Sequence, residues 1–297
     1  MSAGGCDKRA TVPAAEARPT SLAGKPRVVY LMFGDRADPR LLPIATLADS
    51  TIAPISLSPD GWRGFDNLYF RAGAHIAAYQ DGRSIGGATV RRGMWDGSAP
   101  LYKLPHCRAL RPLAAASLDA PDAPTGPVIL ELLATSDPLA VPPLHRPVSD
   151  AEGDSARALA DRVGQREGLS PHARGELELV STAIRTGATD HPTLVASYSE
   201  RGLGALRRPR HVFLIGDYDA TTRGYVQSFV HVADDSTRDF RRYIDHADLT
   251  GSGTDVVVLE GWRNSGDSYL VFLRFGHGHW REVARGATSW CADEPAS

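Results

Sequence analysis

Residues 255–283 contain three apolar runs. Asp255-Val256-Val257-Val258-Leu259-Glu260 is followed, after a polar gap, by Ser268-Tyr269-Leu270-Val271-Phe272-Leu273-Arg274-Phe275. His279-Trp280-Arg281-Glu282-Val283 completes the set. Each run has strand length and β-branched or aromatic content. The pattern extends upstream through Thr193–Tyr198, His211–Gly216, Tyr225–Val232 and Arg241–Asp245, with alternation visible in Tyr225-Val226-Gln227-Ser228-Phe229. Regular strands at short spacing, joined by turns, predict an antiparallel sheet, sandwich or propeller fragment. Residues 190–297 therefore read as an antiparallel β module, either a sheet or a partial propeller.

Upstream of this module the period changes. Ala156, Leu159, Ala160 and Val163 form one helical stripe, with Ser155 as the expected cap and Gly168 as the stop. Ser170-Pro171 restarts a helix, and Ala173, Leu177, Val180 and Ile184 continue a stripe that Gly187 ends. Residues 151–189 are thus expected to form a helical hairpin.

The part before it, 27–150, reads as β-rich. Arg27–Phe33 is a buried strand ended by Gly34-Asp35, and Val128–Ala134 is another. Asp81-Gly82 separates His75–Gln80 from Ser84–Arg91 and is the strongest hairpin signal, since both residues tolerate positive φ. Leu68-Tyr69-Phe70 looks strand-like, and Trp95 and Leu101–Leu104 continue the β character. The stretch 35–67 reads as loops with short strands or turns, and the proline-rich stretch 111–127 as a long loop. The expected class is α+β, mainly antiparallel β, and 27–297 can form one unit.

Composition sets bounds on function. The 297 residues include 33 Lys+Arg against 35 Asp+Glu, a net charge of -2 that supplies no general polyanion surface, so nucleic acid is not an expected partner. No stretch reaches the roughly 18 apolar residues of a membrane span.

Asp248-Leu249-Thr250-Gly251-Ser252-Gly253-Thr254-Asp255, running into Val256-Val257-Val258-Leu259, resembles the calcium loop of FG-GAP and VCBS-type repeats of integrin-alpha-like propellers. Carried over by position, the resemblance implies Asp248, Thr250 and Ser252 as oxygen ligands, with Val256 where the family has an acid. One carboxylate and two hydroxyls hold calcium weakly. The expectation is a loop that keeps its turn through Gly251 and Gly253 without tight calcium binding. An ordinary Gly-rich hairpin is the alternative.

The opening Met1-Ser2-Ala3-Gly4-Gly5-Cys6 resembles a bacterial lipobox, with Ala3 where that family usually has Leu. The resemblance implies lipidation at Cys6, membrane lipid as a partner, and residues 1–26 as a flexible spacer. An incidental cysteine is the alternative. With Cys6 set aside, Cys107 and Cys291 remain as a pair that an exported protein can join in a disulfide, against the alternative of two free thiols.

The known phosphate-loop, zinc-helix and dinucleotide motifs are missing from the sequence. Asp217 and Asp219, two apart on a strand end, are candidate paired carboxylates, with a solvated turn as the alternative reading. His277-Gly278-His279 offers two imidazoles on a turn. His106-Cys107 has poor geometry for a catalytic pair, because neighbours on an extended chain face opposite ways. Arg207-Arg208-Pro209-Arg210 reads as a solvated basic loop. Trp262, Trp280 and Trp290 are either core or an aromatic groove for a protein or glycan ligand.

Together these readings predict an exported, lipid-anchored envelope protein with a non-catalytic binding or structural role. Two readings stand against it: a secreted hydrolase using clustered carboxylates, and a cytoplasmic protein. No cofactor is expected beyond weak calcium.

Overall fold

The fold is that of a computed structural model, described for residues 25–55, 57, 59–94, 113–121, 123, 130–140, 148–200, 211–233, 239–263 and 268–287. Its elements in chain order are β1 (Arg27–Gly34), β2 (Arg40–Ala48), β3 (Thr51–Pro54), α1 (Pro59–Tyr69), β4 (His75–Gln80), β5 (Arg83–Arg92), β6 (Ala114–Asp119), β7 (Leu130–Thr135), α2 (Asp150–Arg166) and α3 (Pro171–Glu176). The second half holds β8 (Leu177–Ile184), β9 (Thr193–Glu200), β10 (His211–Asp219), β11 (Gly224–Ala233), β12 (Asp239–Ala247), β13 (Val256–Arg263), β14 (Ser268–Gly276) and β15 (His279–Ala287). The class is α+β and mainly antiparallel β, as the sequence predicts.

The N-terminal strands follow the order β1-β7-β4-β5-β6-β2-β3, and β1 also pairs with β2. Six strands therefore close into a ring, and β3 adds to the rest of the β2 edge. Tyr30, Met32, Leu41, Val90 and Leu132 fill the interior. Trp62 and Phe65 of α1 plug it together with Tyr69 and Phe70. Spacings of three and four between Trp62, Phe65 and Tyr69 put these rings on one helical face.

The sequence does not announce α1 or β6, and it offers β2 only as short strands or turns among loops. Pro43 interrupts β2, but it lies where the register slips: Val29 faces Ala45 and Tyr30 faces Pro43. Such a bulge tolerates a residue without an N–H. Leu68 and Tyr69 end α1 rather than form a strand. β6 is built from Ala114-Ala115-Ala116, all buried but weakly apolar and flanked by prolines.

The C-terminal half is two successive four-stranded meanders, β8-β9-β10-β11 and β12-β13-β14-β15. They stack between the ring and α2. Val256, Val258, Leu270 and Phe272 face Leu31, Phe33, Leu42 and Ile44 on the outer wall of the ring. The alternate residues Val257, Leu259, Val271 and Leu273 face Ile184, Val195, Phe213 and Ile215 of the other meander. The far side of that meander, through Leu194, Ala196, Tyr198 and Leu214, covers Ala156, Leu159, Ala160 and Val163 of α2. Each fully buried side chain of this kind contributes roughly 1.5–3 kcal/mol.

The stripe on α2 is as expected, and Gly168 at φ 83 ends the helix region. The cap is Ser149 instead of Ser155: the Glu152 carboxylate accepts from the Ser149 N–H at 2.8 Å and its hydroxyl at 3.0 Å. The second helix is cut short. Ser170 caps it by accepting from Ala173 N–H at 3.1 Å, but α3 stops at Glu176. Leu177–Ile184 is instead an edge strand paired with β9 along its whole length. Leu177, Leu179 and Ala183 also alternate by two and pack beneath α2, so the segment satisfied both periods. Val180 is left exposed.

Cys6, Cys107, Trp290 and Cys291, with the spacer before residue 25, lie outside the described residues. Among the described residues there is no disulfide and nothing that supports a lipoprotein signal; both ends of the expected Cys107–Cys291 bridge lie outside them, and the bridge is not carried further. The last strand is tied back to the first part of the chain by close packing. β15 lies on β2 and β3, with Gly286 so near Ile44 that a Cβ would fall 2.6 Å from its carbonyl oxygen.

Candidate functional site

Asp217, one of the two candidate carboxylates in the sequence, lies near the end of β10 and is 3% exposed. Three side chains converge on it from three strands. Thr193 of β9 donates to Oδ1 at 2.6 Å, Ser228 of β11 to Oδ2 at 2.5 Å, and Trp280 of β15 to Oδ2 through Nε1 at 2.7 Å. Burial, the largest influence, leaves this carboxyl above its usual range, against the downward pull of the three donors. Trp280 thus spans from one meander to the other, and it packs on Phe275 within the core.

Asp219 does not join Asp217. Its carboxylate turns to the β10–β11 turn, accepting from Thr221 N–H at 2.8 Å and from the Thr222 hydroxyl at 3.2 Å. The Thr221 N–H chiefly holds it below the usual carboxylate range. The two acids are therefore drawn to different partners. Trp262 is half-buried and stacks on Phe240, 5.6 Å between centroids.

The loop after β12 has the expected turns, with Gly251 at φ 68 and Gly253 at φ 80. Asp248 closes it, taking Ser252 N–H at 2.9 Å and Gly253 N–H at 2.8 Å on its two oxygens. Thr250 donates to Ser252 at 3.1 Å, and Ser252 donates to the Thr254 carbonyl at 3.2 Å. The side chains proposed as metal ligands thus bond within the loop. Among the described residues no group of three or more His, Cys, Asp and Glu side chains is arranged to hold a metal, His277 and His279 included.

A second buried polar cluster lies where the β4–β5 turn meets β12 and β13. Asp245 Oδ1 accepts from Asp81 N–H at 2.9 Å and from His246 N–H at 2.7 Å, while its Oδ2 has no partner. Asp255 is 1% exposed, and its Oδ1 also has no partner. His246 sits between, with Nδ1 2.6 Å from the Tyr243 hydroxyl and Nε2 3.6 Å from Asp255 Oδ2. Donation by the phenol to Nδ1 leaves the ring proton on Nε2, facing Asp255. Burial is the main cause that pushes Asp245 up to about 7 and Asp255 up to about 8. The negative charge of Asp81 adds to the first shift, and those of Asp248 and Asp245 to the second.

The two clusters are linked. Thr193 bonds Asp217 and also meets the Thr186 hydroxyl at 2.6 Å, and the Thr186 carbonyl accepts from Asp255 N–H at 2.7 Å. A string of buried polar groups thus runs from Asp217 to Asp255. Sequence reading placed Asp217 on a strand end and saw Asp255 only as a neighbour of the loop. The available signal for the rest was Asp245-His246, two polar residues inside a strand.

Comparison with protein families, with curated proteins and with solved structures found no match.

Proposed function

We propose that this chain is a non-catalytic binding or structural protein. The observation that supports this reading is the state of Asp217. Its carboxylate carries three hydrogen bonds from three strands, the pattern of a fastener between sheets. A general acid or base needs a lone pair or proton within reach of a substrate. Asp219 and Asp248 are likewise engaged by their own turns. The hydrolase alternative requires carboxylates that converge on a common open point.

The test is turnover by the full chain on chromogenic ester, phosphoester and glycoside substrates, run beside Asp217→Asn and Asp219→Asn. The expected result is no turnover that depends on either residue, with Asp217→Asn altering stability instead. Turnover that disappears in either variant while the fold persists overturns the reading.

A further inference from the structure

Three guanidinium groups gather on one tyrosine at the Asp239 end of the last meander. Arg241 on β12, Arg263 on β13 and Arg285 on β15 place their central carbons 4.8, 5.2 and 4.7 Å from the Tyr269 ring centre. The ring lies over Gly261, where a Cβ would fall 2.6 Å from its Cε2. The Tyr269 hydroxyl donates to Asp239, which also takes Arg241 Nη2 at 3.2 Å. Arg285 is held by Glu282 through two bonds of 2.8 and 2.9 Å. Among the described residues three cations thus face two carboxylates, one positive charge in excess.

Among its described residues the facing meander presents two imidazoles to this cluster. His211 Nε2 accepts from Arg241 N–H at 2.9 Å, and His231 Nε2 lies 2.7 Å from the Asp239 carbonyl. Burial holds both imidazoles below their usual range, His211 down to about 4, and the nearby arginines push His231 the same way. Both shifts favour the neutral ring.

Arg241 is the telling residue. Its side chain is 5% exposed, and its Nε and Nη1 have no hydrogen-bond partner. A buried guanidinium with donors unmet is far more costly than one whose donors are filled. Arg263 is exposed and Arg285 is 39% exposed, which gives the cluster a side open to solvent.

We infer that this cluster binds an oxyanion, a carboxylate group carried by a ligand. Arg241 meets it from the interior, and Arg285 and Arg263 meet it from the margin. Guanidinium groups suit oxyanions in general. The single excess charge among the described residues matches a monoanion, and a phosphate monoester brings about -1.5 to -2 at neutral pH. The inference is independent of the proposed function: turnover assays test that reading, and anion titration tests this one.

The experiment titrates the full chain with sodium acetate and, separately, with sodium phosphate in chloride buffer of constant ionic strength. Thermal unfolding and calorimetry supply the readouts. A saturable rise in melting temperature with acetate is expected, weaker with phosphate. Arg285→Gln, at the exposed margin, should keep the circular dichroism spectrum and weaken acetate about tenfold. Arg241→Gln should abolish binding if it folds, and Arg281→Gln, exposed on the same strand, should change nothing. No saturable response to either anion overturns the inference. So does equal weakening by Arg281→Gln, which signals general surface charge. Preference for phosphate overturns the carboxylate assignment.

Discussion

Replacing Asp255 by Asn tests the account of the buried seam between the ring and β13. The Asp255 carboxyl is pushed from its ordinary 3.8 to about 8, chiefly by burial. The folded protein therefore keeps a proton that the unfolded chain releases once pH exceeds about 4. Stability is greatest below that point and falls as pH rises, until the folded pKa near 8 is passed. The slope contributed by one such carboxyl is about 1.4 kcal/mol per pH unit, so about 2.7 kcal/mol between pH 5 and pH 7. Asn keeps the shape and removes the titration. Its amide carries a cost of about 1–3 kcal/mol if unpaired, but that cost does not depend on pH. Urea unfolding followed by tryptophan fluorescence at several pH values should give a shallower pH slope for Asp255→Asn. The variant gains on the parent as pH rises toward 7. An unchanged slope refutes the reasoning. A variant that loses ground with rising pH also refutes it, and shows an ionised Asp255 paired with a charged His246 across their 3.6 Å.

Other perturbations follow from the same contacts. Asp217→Ala removes the acceptor for three buried donors, and a loss of about 3–5 kcal/mol in chemical unfolding is expected. Gly82→Ala combines a φ of +72 with a Cβ 2.8 Å from Asp255 Oδ2, so its melting point should drop, with about 1–2 kcal/mol lost from the strained backbone alone. Glu152→Ala removes the acceptor that closes the start of α2 and should cost about 1 kcal/mol, read as earlier loss of helical signal on heating. Val180→Thr, at an exposed β-edge position, should stay within about 0.5 kcal/mol of the parent in the same scan.

The meanders were legible because their strands carry period-two alternation and are separated by turn residues whose conformations are local. His277 at φ 52 and Gly278 at φ 78 turn one of their hairpins, and in the ring Asp81 at φ 49 and Gly82 at φ 72 make the equally local β4–β5 turn. The ring was harder. Pro43 is a break signal that only a register slip against β1 neutralises, and that slip is a tertiary fact. Leu177–Ile184 satisfied two periods at once, and pairing with β9 decided between them. The polar clusters were least visible. Asp217 was picked out for its spacing to Asp219, yet its partners Thr193, Ser228 and Trp280 lie 24, 11 and 63 residues away in sequence. The excess charge on Tyr269 likewise arises from three strands brought side by side, each bearing an ordinary-looking arginine.

β13 presents Val256 and Val258 to the ring and Val257 and Leu259 to the other meander, so it has no wet side. A gene cut anywhere between the ring and this strand would yield two pieces, each with a bare oily wall. Such fragments should clump when made alone and recover solubility when produced together. Intermediate lengths offer no safe stopping point, and the layers should melt in one step.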